Sequence, residues 1–403
     1  MSHSSTRLRR HGFRLCAMAL AVGVLTACGG GDSTSVDTSS TQSKSVFAAG
    51  PISGFGSIIV NGVHYDERSA SVRDDDDAPR ASDELKLGMI AEIQASDYRL
   101  VDGVQVASAS EIVFRSRIRG PVESVSSDSM VVLGQTIKVS ADTVFEEELA
   151  GGLAAVAPGD LVKVYGMLDT ATGEYSATRV EREDETEYYA LRSAVDSYDS
   201  AAGLLVIGGA TIDVSGVEVP EGLQEGSLVR VKLETTMAGA VWVATKVEFD
   251  RHKARDSDHS EVEGTITEFS SPESFSVDGI PVDASAASFP DGTDALAEGA
   301  RVEVEGAIVQ GVLVATKVEL EGDDDHDGDS DDDSGFEVEG AVESVDTGAG
   351  SFVVRGVTIR HGDATRFTGG TAEDLAAGAR VEVHAELAAD GVALLATEVE
   401  FEN

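Results

Sequence analysis

Apolar and polar residues alternate strictly over long stretches of this chain. Arg380-Val381-Glu382-Val383-His384 alternates as a half-buried strand should, and the run around Val302 and Val304 places those valines inward, with Glu303 and Glu305 outward. The pattern recurs. Gly159-Asp160-Leu161-Val162-Lys163-Val164 is echoed from Gly226, Gly299 and Gly378, with a weaker copy at Gly88. Between 16 and 21 residues after each glycine, an alanine opens a second strand. Ala177-Thr178-Arg179-Val180-Glu181 has counterparts from Ala244, Ala315 and Ala396, and a weak one from Ala109. Successive anchor glycines lie 71, 67, 73 and 79 residues apart, so one small unit has been multiplied five times. The repeats run 48–115, 117–183, 189–250, 261–321 and 337–402, with a mixed-charge linker at 251–260 and an acidic one at 322–335. A unit of about 60 residues buries only about 60% of the surface its unfolded chain exposes, so each copy is marginal alone.

Repeat 5 displays the internal order. Gly340-Ala341-Val342-Glu343-Ser344-Val345 reads as a first strand and Ser351-Phe352-Val353-Val354-Arg355 as a second. Gly356 makes a tight turn into Val357-Thr358-Ile359. Thr371-Ala372-Glu373-Asp374-Leu375 reads as one helical turn opening on a Thr cap. The alternating 380–384 strand and the closing strand 394–401 follow. Repeats 2 and 4 share this order, opening at Gly120-Pro121-Val122 and Gly264-Thr265-Ile266, with Gly134 and Gly279 at the equivalent turn. Phe145, Phe289 and Phe367 hold one equivalent position and are expected to plug the core. Repeat 3 offers Val217 or Val219 there, and repeat 1 diverges most. The predicted fold class is all-β: five tandem small five-stranded β-barrels, each with one short helical turn between strands three and four. That is the strand order of the oligonucleotide/oligosaccharide-binding (OB) barrel. The lack of crossover helices excludes parallel βαβ folds, and a sandwich would need about seven strands per unit.

The first 27 residues stand apart. Arg7, Arg9, Arg10 and Arg14 precede an apolar stretch, 15–24, too short for a permanent membrane span. Leu25-Thr26-Ala27-Cys28 then resembles the lipobox of bacterial lipoproteins. The resemblance implies that residues 1–27 are a lipoprotein signal peptide and that Cys28 is lipidated, with Gly29 rather than Asp after it favouring the outer membrane. Residues 28–47, rich in Gly, Ser, Thr, Asp and Gln, read as a flexible lipid tether. Cys16, the other cysteine, leaves with the signal, so no thiol remains for a disulfide, a metal or a nucleophile. The formal charge of −43 becomes four units more negative when those arginines are removed. Such a polyanion repels nucleic acid and anionic headgroups. The second and third strands, for example Met130-Val131-Val132-Leu133 and Ser274-Phe275-Ser276-Val277, offer almost no Arg or Lys, so nucleic acid is not an expected partner.

Chemistry is sparse. Asp323, Asp325, Asp327, Asp329 and Asp331, with Gly328, carry the D-x-D-x-D-G spacing of a calcium loop. The match then fails at Ser330, where an apolar anchor is usual, and at Ser334, where a bidentate Glu is usual. A self-repelling acidic spacer is therefore the preferred reading of this run. No cofactor is expected, with calcium as the alternative that this run raises. The histidines His64, His252, His259, His326, His361 and His384 are scattered. His252 and His259 share a linker with Asp256 and Asp258, a weak transition-metal set. No H-x-x-x-H pair, G-x-S-x-G or P-loop occurs, and no histidine recurs at an equivalent point of several repeats, so no catalytic residue is predicted.

The Gly-x-Val opening, the Gly-x-x-Val-x-Val strand and the Ala-Thr-x-Val-Glu close resemble a family of Gram-negative cell-envelope lipoproteins built from repeats of a domain of unknown function. Gly54-Phe55-Gly56-Ser57-Ile58-Ile59-Val60-Asn61-Gly62-Val63 resembles that family's usual first domain. The resemblance implies an envelope location and small β-barrels, and no activity. The expectation is a non-enzymatic structural, scaffolding or binding module, held to the membrane by lipid, with an envelope glycan or protein as partner. One alternative is a calcium-responsive module using the acidic linkers; another is an envelope enzyme with an interdomain site.

Overall fold

A computed structural model describes residues 44–101, 103–321 and 335–402 of the chain. The signal segment, Cys28 and the acidic loop 323–331 lie outside these residues. All five repeats close in the same way. The N–H of the anchor glycine donates to a carbonyl within the first strand or one residue past its end: Gly88 to Ile52, Gly159 to Val122, Gly226 to Val195 and Gly299 to Ile266, each at 2.8 Å, and Gly378 to Val342 at 2.7 Å. These glycines adopt φ between 78° and 96°, the left-handed region that costs a side chain most, so the turn selects glycine five times.

The recurrent alanine has an equally local cause. Strands four and five pair antiparallel in every repeat, and the register shifts by one residue just before Ala109, Ala177, Ala244, Ala315 and Ala396 meet Ala95, Gly166, Leu233, Gly306 and Ala385. A bulge bends and twists its strand, which is how a short hairpin curls into a barrel-like sheet. The space at the bulge is small: a Cβ on Gly166 or Gly306 would lie 2.2 Å from a carbonyl oxygen across the pair.

In repeat 5 the strands are Phe336–Asp346, Ser351–Val354, Val357–Arg360, Arg380–Leu387 and Leu394–Phe401. The first strand pairs with the second and fourth, the second with the third, and the third runs parallel to the fifth, which returns to the fourth. Two expectations need correction. A further short strand, Arg366–Thr368, runs parallel to the fifth strand, as Val144–Phe145 does in repeat 2 and Ser71–Arg73 in repeat 1. Apolar Phe145 and Val72 are buried there, whereas Phe289 and Phe367 are only half-buried against their cores. The helical turn is a 3-10 turn in repeats 1, 2 and 5, and repeats 3 and 4 have only bends and turns. Pro220-Glu221-Gly222 and Pro290-Asp291-Gly292 explain the loss, because Pro lacks the N–H and each Gly sits near φ +80° to +86°. In repeat 5, Asp374 completes the turn by accepting from Thr371 N–H and Oγ1 at 2.9 and 2.8 Å.

The repeats are fused through their edges. Val46–Pro51 pairs antiparallel with Ile90–Val101 inside repeat 1 and parallel with Ser257–Ser271 of repeat 4. This strand opens inside the segment read as tether, because Val46 and Phe47 are apolar and fully buried. Gly54–Phe55 pairs parallel with Phe336–Asp346 of repeat 5, and Ile118–Val125 pairs with Tyr189–Ala194 to join repeats 2 and 3. Repeats 1 and 5 share one core, repeats 2 and 3 another, and Phe47 and Ala49 of repeat 1 complete the core of repeat 4. Small units with too little interior have pooled it. The described residues accordingly form one compact unit.

Candidate functional site

The densest chemistry lies where repeats 1 to 4 meet. Repeat 1 contributes a hairpin turn, Asp74 to Asp77. Asp74 shapes it: its carboxylate accepts from Asp76 N–H and Ala78 N–H at 2.9 and 3.0 Å and from Arg80 Nε at 2.7 Å. Asp75 is thereby pushed into the neighbouring repeats. It accepts from Arg192 Nη2 at 3.0 Å, from Ser116 Oγ at 2.6 Å and from Ser116 N–H at 3.1 Å. Asp76 accepts from Arg230 Nη2 at 2.8 Å, Tyr188 OH at 2.5 Å and Lys232 Nζ at 2.6 Å, and Asp77 meets Lys253.

The network continues inward. Arg192, only 3% exposed, also meets Asp250. Arg117 lies 2.8 Å from Asp278 of repeat 4 and 3.6 Å from Asp250, and its Nε donates to Gly166 O at 3.0 Å. Glu92 takes Arg115 Nε at 2.7 Å and His252 Nδ1 at 3.0 Å, while His252 Nε2 lies 2.6 Å from Asp278 O. Burial alone would raise the carboxylates and lower the histidine; the opposite charges outweigh it. Asp75, under Arg192 and Arg230, and Asp250, under Arg192 and Arg117, are held below the usual carboxylate range. Glu92 is likewise lowered by His252 and Arg115, and His252 is raised by Glu92 and then Asp278 and Asp250. Desolvation absorbs much of the Coulomb gain in such a network, but its geometry admits few alternatives.

A cleft of about 400 Å³ opens beside the turn, bounded by Asp75, Asp76, Arg119, Lys163, Glu183 and Tyr188. Its cations already have partners. Arg119 Nε lies 3.1 Å from Glu183, and Lys163 Nζ lies 5.0 and 5.5 Å from the ring centres of Tyr165 and Phe114.

The structure separates the histidines of the 251–260 linker. His252 serves the ion network, whereas His259 stacks on Tyr98 with centroids 4.1 Å apart and reaches Glu261 at 2.8 Å; Asp258 is turned to Ser45. The linker therefore does not gather the expected metal set. His361 packs against Phe367 and Phe352. His64 and His384, far apart in sequence, come together beside Glu337 and Glu382 at the seam of repeats 1 and 5. A second acidic group, Glu303, Glu305 and Glu319, surrounds Lys317, whose Nζ lies 2.9 Å from Glu305 and 2.5 Å from Glu319. Outward-facing Glu303 is half-buried there. Burial, then Glu261, Glu321, Glu263 and Glu305, push its carboxyl up to about 8.

In the sequence Asp74-Asp75-Asp76-Asp77 stands out as an acidic insert of repeat 1, but nothing beside it announces its partners. The available signal was buried-strand arginine among mostly apolar neighbours, at Arg192 and Arg230. Charges placed there must find opposite charges when buried.

The chain is thus an all-β protein of repeated, barrel-like sheets. Three of its segments, 119–181, 263–319 and 339–400, match the family model described as "Domain of unknown function (DUF5666)", and these segments coincide with repeats 2, 4 and 5. No curated protein matches the chain. Among solved structures, the chain titled "drosophila Unr CSD456" aligns with 54% of this chain and 98% of its own length, at 14% identity and a TM-score of 0.13.

Proposed function

We propose that the chain is a non-enzymatic envelope lipoprotein whose five repeats, each an OB-like barrel, form a scaffold or binding body anchored to the outer membrane through Cys28. The observation that carries this reading is the spending of the buried charges on joining repeats. Asp75, Asp76, Arg192, Arg230, Arg117, Asp250 and Asp278 pair among themselves and hold four repeats in a fixed arrangement. A body without disulfides keeps a fixed shape by such means, and a fixed shape is what presenting several weak sites to one extended envelope glycan or protein requires. The test is fractionation of wild type and Cys28→Ser in a Gram-negative host with labelled fatty acid, together with glycan-array binding of the chain. Label in the outer-membrane fraction that Cys28→Ser abolishes supports the anchor; continued membrane retention of the variant refutes it. Catalytic turnover of an envelope substrate would refute the non-enzymatic part.

The acidic linker supports a second reading. Its D-x-D-x-D-G spacing between repeats 4 and 5 suits a calcium-responsive joint. Millimolar calcium should then raise the melting temperature or contract the hydrodynamic radius, and no change in either rejects this reading.

A further inference from the structure

We propose that His64, Glu337, Glu382 and His384 form a binding site for a divalent transition cation of the zinc class, stapling the first repeat to the last. The inference is independent of the envelope reading. Each donor is fixed by its strand. Glu382 and His384 are two residues apart on Arg380–Leu387, so they share one face of that strand. Glu337, on Phe336–Asp346, stands directly opposite His384 in the antiparallel register. His64 comes from repeat 1, on Val63–Asp66. The seam between the two repeats is held by backbone: Gly54 and Phe55 pair with Glu337 and Val338, and Glu337 N–H donates to Ser53 O at 3.2 Å. A Cβ on Gly56 would meet Glu339 Cβ at 2.5 Å, so the repeats are in close contact here.

The donor geometry fits a metal. Donor atoms of Glu337, Glu382 and His384 all lie within 4.8 Å of one another. His384 Nε2 is 3.3 Å from Glu382 Oε1, and His64 Nε2 is 3.8 Å from Glu337 Oε1. Metal–ligand bonds of about 2.0–2.1 Å in a tetrahedron give ligand–ligand edges of about 3.3–3.4 Å, which the Glu382–His384 pair already matches; His64 stands outside the three-residue group, beside Glu337, and its ring must rotate inward to complete the set. Nearby cations are committed to other acids: Arg366 to Glu398, and Arg380 to Glu339 and Glu402. Two imidazoles with two carboxylates suit zinc and its first-row neighbours; calcium takes six to eight oxygen donors. The surrounding polyanion raises the local concentration of cations.

The test is calorimetric titration of the full chain with zinc chloride in a non-coordinating buffer, with calcium chloride in millimolar excess. One zinc per chain should bind at this site, undisplaced by calcium. His64→Ala and His384→Ala should each weaken that event at least about tenfold, while His361→Ala should leave it unchanged. Identical zinc isotherms for wild type, His64→Ala and His384→Ala would overturn the proposal, as would the absence of zinc binding. Should a variant fail to fold, wild-type protein decides the matter through histidine acylation by diethyl pyrocarbonate with and without zinc. Protection of His64 and His384, with His361 unprotected, supports the site; equal labelling of His64 and His384 in both conditions refutes it.

Discussion

Asp75→Ala removes the carboxylate on which the ion network turns. Arg192 loses one of its two anionic partners at 3% exposure, and Ser116 loses the acceptor for both its hydroxyl and its N–H. Breaking a buried pair by deleting one member costs about 3–5 kcal/mol, because the remaining charge stays desolvated. Arg192 keeps Asp250 and Arg230 keeps Asp76, which places the expected loss near the lower end, about 3 kcal/mol. Urea unfolding followed by circular dichroism reads this as a fall in midpoint. The control is Asp128→Ala, which breaks an exposed 3.8 Å contact with Lys138 and should cost under about 1 kcal/mol. The pH dependence adds a second constraint. Arg192 and Arg230, against the opposing effect of burial, depress the Asp75 pKa in the folded state, so its contribution is present above the ordinary value of 3.8 and is lost as pH falls through the lower folded one. The gap between wild type and variant should hold from pH 7 to about pH 5 and close only in stronger acid. Hydrogen exchange should rise first in Tyr189–Ala194 and Leu228–Leu233, the strands that carry Arg192 and Arg230. A loss below about 1 kcal/mol at pH 7, or exchange unchanged in those strands, would refute the claim that the acidic turn holds the repeats together.

Three further outcomes follow from the same geometry. His252 faces Glu92, Asp278 and Asp250, and its folded pKa is raised, so its stabilisation is complete below the ordinary 6.5 and disappears as pH rises through the folded value; His252→Gln should flatten the fall in melting temperature above neutrality, and an unchanged slope would count against the pairing. Burial and then the crowding of Glu261, Glu321 and Glu263 raise the folded Glu303 pKa to about 8 against an ordinary 4.5, so its ionisation costs stability progressively across that interval; Glu303→Gln should raise the melting temperature more at pH 8.5 than at pH 5, and equal shifts at both would refute the raised pKa. Phe47 belongs to repeat 1 yet fills the core of repeat 4; Phe47→Ala should cost about 3–5 kcal/mol and loosen amide protection in Arg301–Val309, whereas loss confined to repeat 1 would contradict the shared core.

How far the fold can be read depends on which interactions leave a mark in the sequence. Repeat 5 is nearly transparent: Ser351–Val354 and Leu394–Phe401 fall where alternation puts them, and Gly378 reports a left-handed turn through its identity alone. The short strand at Arg366–Thr368 was hidden because three residues are too few to display a period. Docking between repeats was hidden for a different reason. Val46–Pro51 binds Ser257–Ser271 through backbone N–H and C=O groups that every residue but proline carries, so the pairing selects no residue type. Side-chain docking leaves only half a signature. Arg192 stands out within an apolar strand, but Asp75 lies 117 positions away in a turn that reads as an acidic insert. The histidine–carboxylate group is split in the same way, with His64 in the first repeat and its neighbours in the last. Closure of a repeat is encoded locally and therefore recurs; docking is encoded across repeats and does not. The residues that distinguish one repeat from another, including the Asp74 to Asp77 turn, Arg192, His252 and His64, are for that reason the ones on which substitutions will separate assembly of the body from folding of its units.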